Sequence, residues 1–333
     1  MLRVVGTDPG TSSLDLLLLV DGEVADQCRL TPDQLRSDPE ALCAVLSRWA
    51  PLDLIAGPSG YGLPLVRGED VGPAELELLA LVKSEDRGKE VGVAGFRSWV
   101  RSALASGFPI VFLPGLIHLP TVPAHRKLNT IDLGTPDKLS VAALALRFDG
   151  EESGSFGMST FAVVEIGSAF SAVLVVSEGR FVDASAGTRG PIGLRASGGW
   201  DGEVAYKRSP LSKRDLFRGG LADLGEGGLK AFGESLVKHV AGLKAVTPFE
   251  TMYLSGAGLD RAEILETVEG SLGRLGRIKI LRSLPNARVK HAAQGSAILA
   301  DGLAGGRHRD LVAALRLNES RGTALDWLRP PLG

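Results

Sequence analysis

Apolar and polar positions along the chain alternate with two different periods, and the changes of period mark out the elements. Apolar runs fill about 2–7, 14–20 and 23–29, the first two separated by Asp8-Pro9-Gly10-Thr11-Ser12-Ser13 and the last two by Asp21-Gly22. Small polar turns between such runs predict a three-stranded antiparallel unit. Leu42, Val45, Leu46 and Trp49 recur at helical spacing, so 39–49 reads as an amphipathic helix with one buried face. A short strand follows at 53–57, then a Gly- and Pro-rich loop to Pro64, helices over 74–83 and 92–106, and a buried strand over 108–113. The irregular polar stretch 114–127 belongs on the surface or along a cleft. Thr135 and Pro136 predict the N-cap and first residue of a helix over 136–147.

Periodicity is lost over 148–160, where Gly, Ser and acidic residues gather. A boundary is expected there, between a first domain at 1–150 and a second at 151–307, with a helical tail over 308–333. The second half repeats the order of the first. Strands are predicted at about 161–167, 171–177 and 180–184, a Gly-rich stretch to about 226, and a helix at 228–245. A strand at 250–255, a helix at 260–272, a strand at 276–282 and a helix at 288–303 complete it. Both halves therefore read βββαβαβα, an α/β class. A fixed shift of 157 residues places Asp8 on Glu165, Gly10 on Gly167, Thr11 on Ser168, Asp21 on Glu178, Gly22 on Gly179 and Asp26 on Asp183, without a gap.

Composition narrows the classes. The 333 residues exceed the usual single core, and a hydrophobic content of 44% can fill two. A formal net charge of −2 leaves no electrostatic footprint for nucleic acid or an anionic membrane, so small molecules or proteins are the expected partners. Cys28 and Cys43 are the only cysteines; they cannot build a Cys-rich metal site, and without an export signal they favour a reducing cytoplasm. The longest apolar run, Leu16 to Val20, falls far short of the ~20 residues that span a bilayer.

The first turn carries candidate chemistry. Gly10 lets backbone approach a ligand, Thr11, Ser12 and Ser13 offer hydroxyls and N–H groups, and Asp8 is suited to a divalent cation. A lone Asp-Pro-Gly turn is common for conformational reasons alone. Two copies, each with a carboxylate before a glycine and a hydroxyl, favour two phosphate loops facing one cleft.

These hairpins resemble the two phosphate loops of the superfamily of acetate kinase, sugar kinases, heat-shock-70 chaperones and actin. The resemblance implies two duplicated ribonuclease-H-like domains, an inter-domain nucleotide cleft and an actin-like ATPase fold. Leu254-Ser255-Gly256-Ala257-Gly258-Leu259-Asp260 resembles the adenosine loop, implying Ser255, Gly256, Ala257 and Gly258 as adenosine contacts. Helices 136–147 and 288–303, with many small residues, resemble the two helices that cross between the domains. A closer likeness lies in Ile55 to Pro64, Ile117 to Lys127 and Ile131 to Lys138, which resemble an uncharacterised, mainly archaeal family of predicted butyrate kinases across nearly the whole chain.

By that resemblance the chain is an ATP-dependent phosphotransferase, with a short-chain carboxylate as one acceptor class. Asp8 would hold Mg²⁺; Gly10, Thr11, Ser12, Ser13, Gly167 and Ser168 would hold the phosphates. Asp137 would serve as base or water-orienting group, or serve the metal if the acceptor is already ionised. Ser59, Gly60, Tyr61, His125 and Arg126 would contact a small-molecule acceptor. Two departures stand out: the second loop, Glu165-Ile166-Gly167-Ser168-Ala169-Phe170-Ser171, lacks the usual Asp and paired glycines, and Phe170 is bulky. Glu165 reaches farther than Asp, toward a metal or its bound water. The Gly-rich insertion around 188–203 reads as a lid or a long loop. An ATPase switch acting on a protein partner, a nucleotide-bound filament former and a homodimer remain alternatives.

Overall fold

The computed structural model describes residues 1–10, 12–38, 40–57, 59–82 and 96–331. The expected helical residues 83 and 92–95, like Thr11, lie outside them. Strands β1 (Arg3–Pro9), β2 (Leu14–Val20) and β3 (Glu23–Leu30) are followed by helices α1 (Pro32–Ser37) and α2 (Ala41–Trp49). Then come β4 (Leu54–Ala56), β5 (Val66–Arg67), α3 (Pro73–Ala80), α4 (Phe96–Ala105), β6 (Ile110–Phe112), α5 (Ala124–Lys127) and α6 (Pro136–Ser153). The second half holds β7 (Phe161–Ile166), β8 (Ser171–Ser177), β9 (Arg180–Ser185), α7 (Gly202–Arg208), α8 (Gly228–Val246), β10 (Thr251–Ser255), α9 (Ala262–Leu272), β11 (Arg277–Ile280), α10 (His291–Leu303) and α11 (Arg309–Leu315).

These strands form two mixed sheets, ordered β3-β2-β1-β4-β6-β5 and β11-β10-β7-β8-β9. The leucine run of β2 has a physical reason, because this sheet is covered on both faces. Leu17 and Leu19 point into a core shared with the second sheet, whereas Leu16 and Leu18 point into the outer core under α2, α3 and α4. In the second sheet, Val163 and Leu174 face the shared core, while Val164 and Val175 face α8 and α9. Helices α6 and α10 fill the shared layer between the sheets. They touch backbone to backbone: a Cβ on Gly295 would lie 1.8 Å from the Ser140 carbonyl oxygen.

The duplication holds at the level of single hydrogen bonds. Asp8 opposes Asp15 across β1 and β2, and Glu165 opposes Ala172 across β7 and β8. Gly10 N–H donates to the Ser13 carbonyl at 2.9 Å, and Gly167 N–H donates to the Phe170 carbonyl at 2.9 Å. Each second strand carries its register shift at the same place, between Leu18 and Leu19 and between Val175 and Val176. The turns Asp21-Gly22 and Glu178-Gly179 both take positive φ, as two-residue hairpins between right-twisted strands require.

Several expectations need correction. Helix α6 runs on to Ser153, where Gly154 ends it at φ 78°, because Phe148 and Gly150 are buried and hold residues 148–153 helical. The tail is α-helical only to Leu315; Arg316 turns left-handed there and a single 3-10 turn follows at Leu317–Glu319. Thr135 does not cap α6 with its side chain; its hydroxyl donates to the Asp137 carboxylate instead. Helices α1 and α7 and the short strand β5 carry no periodicity long enough to be read from sequence.

Candidate active site

A cavity of about 930 Å³ opens where both hairpin turns, the N-termini of α6 and α10 and the loop after β10 converge. Asp8, Gly10, Ser12, Ser13, Asp137, Glu165, Gly167 and Ser168 line it, as do Ser59, Gly60 and Tyr61 from the first half and Ser255, Gly256 and Ala257 from the second. Parallel pairing of β1 with β4 and of β7 with β10 is what brings these strand ends together. Thr11 lies outside the described residues.

Around the first turn, polar groups form a closed lattice. Asp15 is fully buried and accepts from Ser13 Oγ at 2.5 Å, from Arg29 Nη2 at 3.0 Å and from the Lys290 backbone N–H at 3.0 Å. Burial opposes its ionisation, but Arg29, Lys290 and Ser13 together hold its carboxyl below the usual range. Asp8 is the opposite case. Burial, with repulsion from Asp137 and Asp15, pushes it up to about 7, although Lys290 Nζ sits 3.7 Å from its Oδ2.

The second turn is built differently. Lys138 Nζ lies 2.5 Å from Glu165 Oε2 and 2.9 Å from Asp137 Oδ2, joining a carboxylate of each half. Burial disfavours the Lys138 charge, yet the two carboxylates outweigh it and raise the ammonium well above its ordinary value. Burial also works against Asp137, where Lys138 and the Thr135 hydroxyl prevail and depress it, and it leaves Glu165 raised. Phe170 stacks edge-on against Phe217, ring centroids 4.9 Å apart, and closes this side with an apolar wall.

In the loop after β10, Gly256 takes φ 106°, and a Cβ there would lie 2.3 Å from the Ile166 carbonyl, so only glycine brings this loop against the second hairpin. Ser255 Oγ bonds His291 Nδ1 at 2.8 Å, and burial pulls that imidazole down to about 4, keeping it neutral. At the other end, Lys213, between α7 and α8, donates to Tyr61 Oη at 2.6 Å and lies 4.3 Å over its ring. Burial lowers Lys213 to about 8, with Asp132 opposing. Among the described residues, neither Lys213 nor Arg189 has a carboxylate within ion-pair distance, and both line the cavity beside Leu79, Ile131, Leu216 and Leu328.

The structure separates three expected residues from this cavity. Gly258 is buried beneath the loop, where a Cβ would meet Ile166 Cγ2 at 2.5 Å, so it serves packing. His125 and Arg126 sit on α5 beside a second depression of about 380 Å³. Arg126 turns toward β9, donating to the Val182 carbonyl at 2.8 Å and lying 3.4 Å from Asp183 Oδ2, which accounts for its charge. Three of the expected phosphate-binding groups are engaged within the protein: the Gly10 and Gly167 amides close their own turns, and the Ser13 hydroxyl is held by Asp15.

Among the described residues, no group of three or more His, Cys, Asp or Glu side chains could hold a metal ion alone. Magnesium does not need such a cage, since one or two carboxylates with substrate phosphates suffice. Asp8 and Asp137 repel each other inside the cavity, and Asp8, Asp137 and Glu165 line it together with Lys138 and Lys290. A divalent cation between Asp8 and Asp137 would relieve that repulsion. Glu165 is less available because Lys138 already grips it.

Sequence reading missed Asp15, Arg29, Lys138, Lys213 and Lys290. Only Lys138 had a local signal, standing next to Asp137 at the start of α6.

The fold matches solved kinases at low identity. A propionate kinase from Francisella tularensis subsp. tularensis SCHU S4 superposes with a TM-score of 0.60 and 13% identity over 89% of this chain and 99% of that one. Acetate kinase from Porphyromonas gingivalis gives 0.54 and 13%, covering 80% and 86%, and that from Entamoeba histolytica gives 0.52 and 11%, covering 82% and 87%. The actin-like ATPase fold with duplicated domains is therefore shared. No curated protein matches the sequence significantly. The family described as "Protein of unknown function (DUF1464)" matches residues 6–330, and the chain belongs to that family.

Proposed function

We propose that this member of the DUF1464 family is an ATP-dependent phosphotransferase whose acceptor is a small organic anion, a short-chain carboxylate such as butyrate. The carrying observation is the state of Asp137. It sits at the cleft end of α6, where a base would stand, but Lys138 and Thr135 hold its carboxyl below the usual range. A carboxylate so stabilised is a weak base toward a hydroxyl. An acceptor that is already ionised needs none, and Asp137 is then free to share a cation with Asp8.

The other walls support the same reading. Lys213 and Arg189, without carboxylate partners among the described residues, would hold the acceptor's anionic group, and Leu79, Ile131, Leu216 and Leu328 would cover its apolar body. Tyr61, reached by Lys213 across the cleft, would exclude water from the acceptor. Ser255, Gly256 and Ala257 would take the adenosine. A bound Mg²⁺, held by Asp8 and Asp137, would neutralise phosphate charge. The protein's remaining contribution is alignment of donor and acceptor as the halves close.

An acceptor screen tests this. ADP release should depend on carboxylates in the range from acetate to butyrate and should not respond to sugars. Sugar-dependent ADP release, or hydrolysis stimulated only by a protein partner, would overturn it.

A further inference from the structure

On each side of the cavity a lysine from one half reaches the strand-end carboxylate of the other. Lys138, in the first turn of α6, lies 2.5 Å from Glu165 Oε2. Lys290, the N-cap of α10, lies 3.7 Å from Asp8 Oδ2. Their ammonium groups also border the two hairpin turns. A Cβ on Gly10 would come 2.5 Å from Lys290 Nζ, and one on Gly167 would come 3.8 Å from Lys138 Nζ.

This reciprocity is not a relic of the duplication, because matching the starts of α6 and α10 places Lys138 on Ala293 and Thr135 on Lys290. Helix stability does not call for it either. The positive end of a helix dipole disfavours a cation, N-cap positions favour Ser, Thr, Asp or Asn, and Lys290 makes no side-chain cap bond. An anion between the two turns would instead meet two helix N-termini and two ammonium groups together.

We propose that Lys290 and Lys138 are the phosphate-binding residues of this cleft, one pressing on the nucleotide's phosphates from each side. They take the place of the Gly10 and Gly167 amides and the Ser13 hydroxyl, which the protein uses internally. The inference rests on the nucleotide-cleft reading above. The two lysines differ in readiness. Lys138 is gripped by two carboxylates at 2.5 and 2.9 Å, whereas Lys290 stands 3.7 and 3.9 Å from Asp8 and Asp15. Lys290 therefore meets phosphate without a metal, and Lys138 is loosened, keeping Glu165 alone, only when Asp137 turns to a cation.

Titration calorimetry with ADP and AMP, each with and without Mg²⁺, tests the pair. Losing a charge-assisted hydrogen bond predicts that Lys290→Met weakens ADP roughly 10- to 100-fold in both conditions, with AMP changed less than about 3-fold. Lys290→Arg should keep most of the preference for ADP. Lys138→Met/Glu165→Gln, whose folding is checked by its urea midpoint because Asp137 also loses its cation, should weaken ADP only in Mg²⁺. Equal weakening of ADP and AMP, or no change in ADP, overturns the proposal while leaving the nucleotide cleft intact. Wild-type protein that binds neither nucleotide overturns the cleft reading and this inference together.

Discussion

The two hairpins share a backbone down to the position of the register shift, yet they carry different chemistry. Across from Asp8 stands Asp15, embedded in Arg29, Ser13 and Lys290; across from Glu165 stands Ala172, with Phe170 and Phe217 forming a wall nearby. Backbone register is fixed by hairpin turns and by burial on both faces, so it survives changes at strand ends. Asp8 and Glu165 line the cavity, whereas Asp15 and Ala172 opposite them are fully buried, so each copy fills the space behind its carboxylate in its own way. The difference suggests that duplicated geometry was kept while one copy became a polar lattice and the other a partly apolar surface.

The largest way to break this comparison is to exchange the strand-end acids for amides. If the first hairpin carries the metal, Asp8→Asn should lower turnover by about 10²- to 10³-fold, the range for removing one preorganised electrostatic group, while Glu165→Gln costs about 10-fold or less. Steady-state kinetics with ATP and the best acceptor would decide, and equal losses would mean that the copies share the work.

Stability should separate the copies next. Asp15→Ala strands Arg29 and the Lys290 amide, and we expect a loss of about 2–3 kcal/mol, below the 3–5 of a fully buried pair because Arg29 is half-exposed. Urea unfolding without ligand measures it; a loss under 1 kcal/mol would mean that the lattice is held elsewhere.

The pH dependence sharpens the contrast within the first hairpin. Asp8, at about 7 when folded against 3.8 for a free carboxyl, binds its proton more tightly in the native state, so its contribution falls as pH rises from about 4 to 7. Asp15, depressed, contributes above the free-carboxyl value and loses that contribution on acidification. Relative to wild type, Asp8→Asn should therefore gain stability as pH rises through this window, by on the order of 1 kcal/mol per pH unit. Unfolding midpoints at a series of pH values would reveal a flat difference if Asp8 titrates normally.

The smallest effect belongs to the apolar wall. Phe170→Ala removes the edge-on contact with Phe217 and should cost about 1 kcal/mol in thermal unfolding, with little change in ATP affinity. A large loss of affinity would instead place Phe170 against the nucleotide.

Much of the scaffold was legible because its signals are local or repeat at a fixed offset. The turns at Asp21-Gly22 and Glu178-Gly179, the leucine run of β2 and the small residues of α10 each report their own surroundings. The polar contacts were less legible where they join residues distant in sequence: Lys290 to Asp15 spans 275 positions and, at the far end of the cavity, Lys213 to Tyr61 spans 152. His125 and Arg126 misled for a related reason. Their basic cluster stands near Asp137 in sequence, but α5 turns Arg126 toward β9, and no periodicity in four residues reveals that direction.

The crossing of α6 and α10 has a mechanical consequence. Where Gly295 meets the Ser140 backbone there is no side chain to compress or re-rotamerise. Sliding one helix along the other would drive main chain into main chain, whereas swivelling leaves the point of contact unchanged. The contact lies only two residues from Lys138 and five from Lys290, roughly 3 and 7.5 Å along their helices, so it braces both lysines close to the point about which any swivel would turn. A swivel there would move the far helix ends more than the cavity ends, and a single methyl group at position 295 would drive into the Ser140 carbonyl.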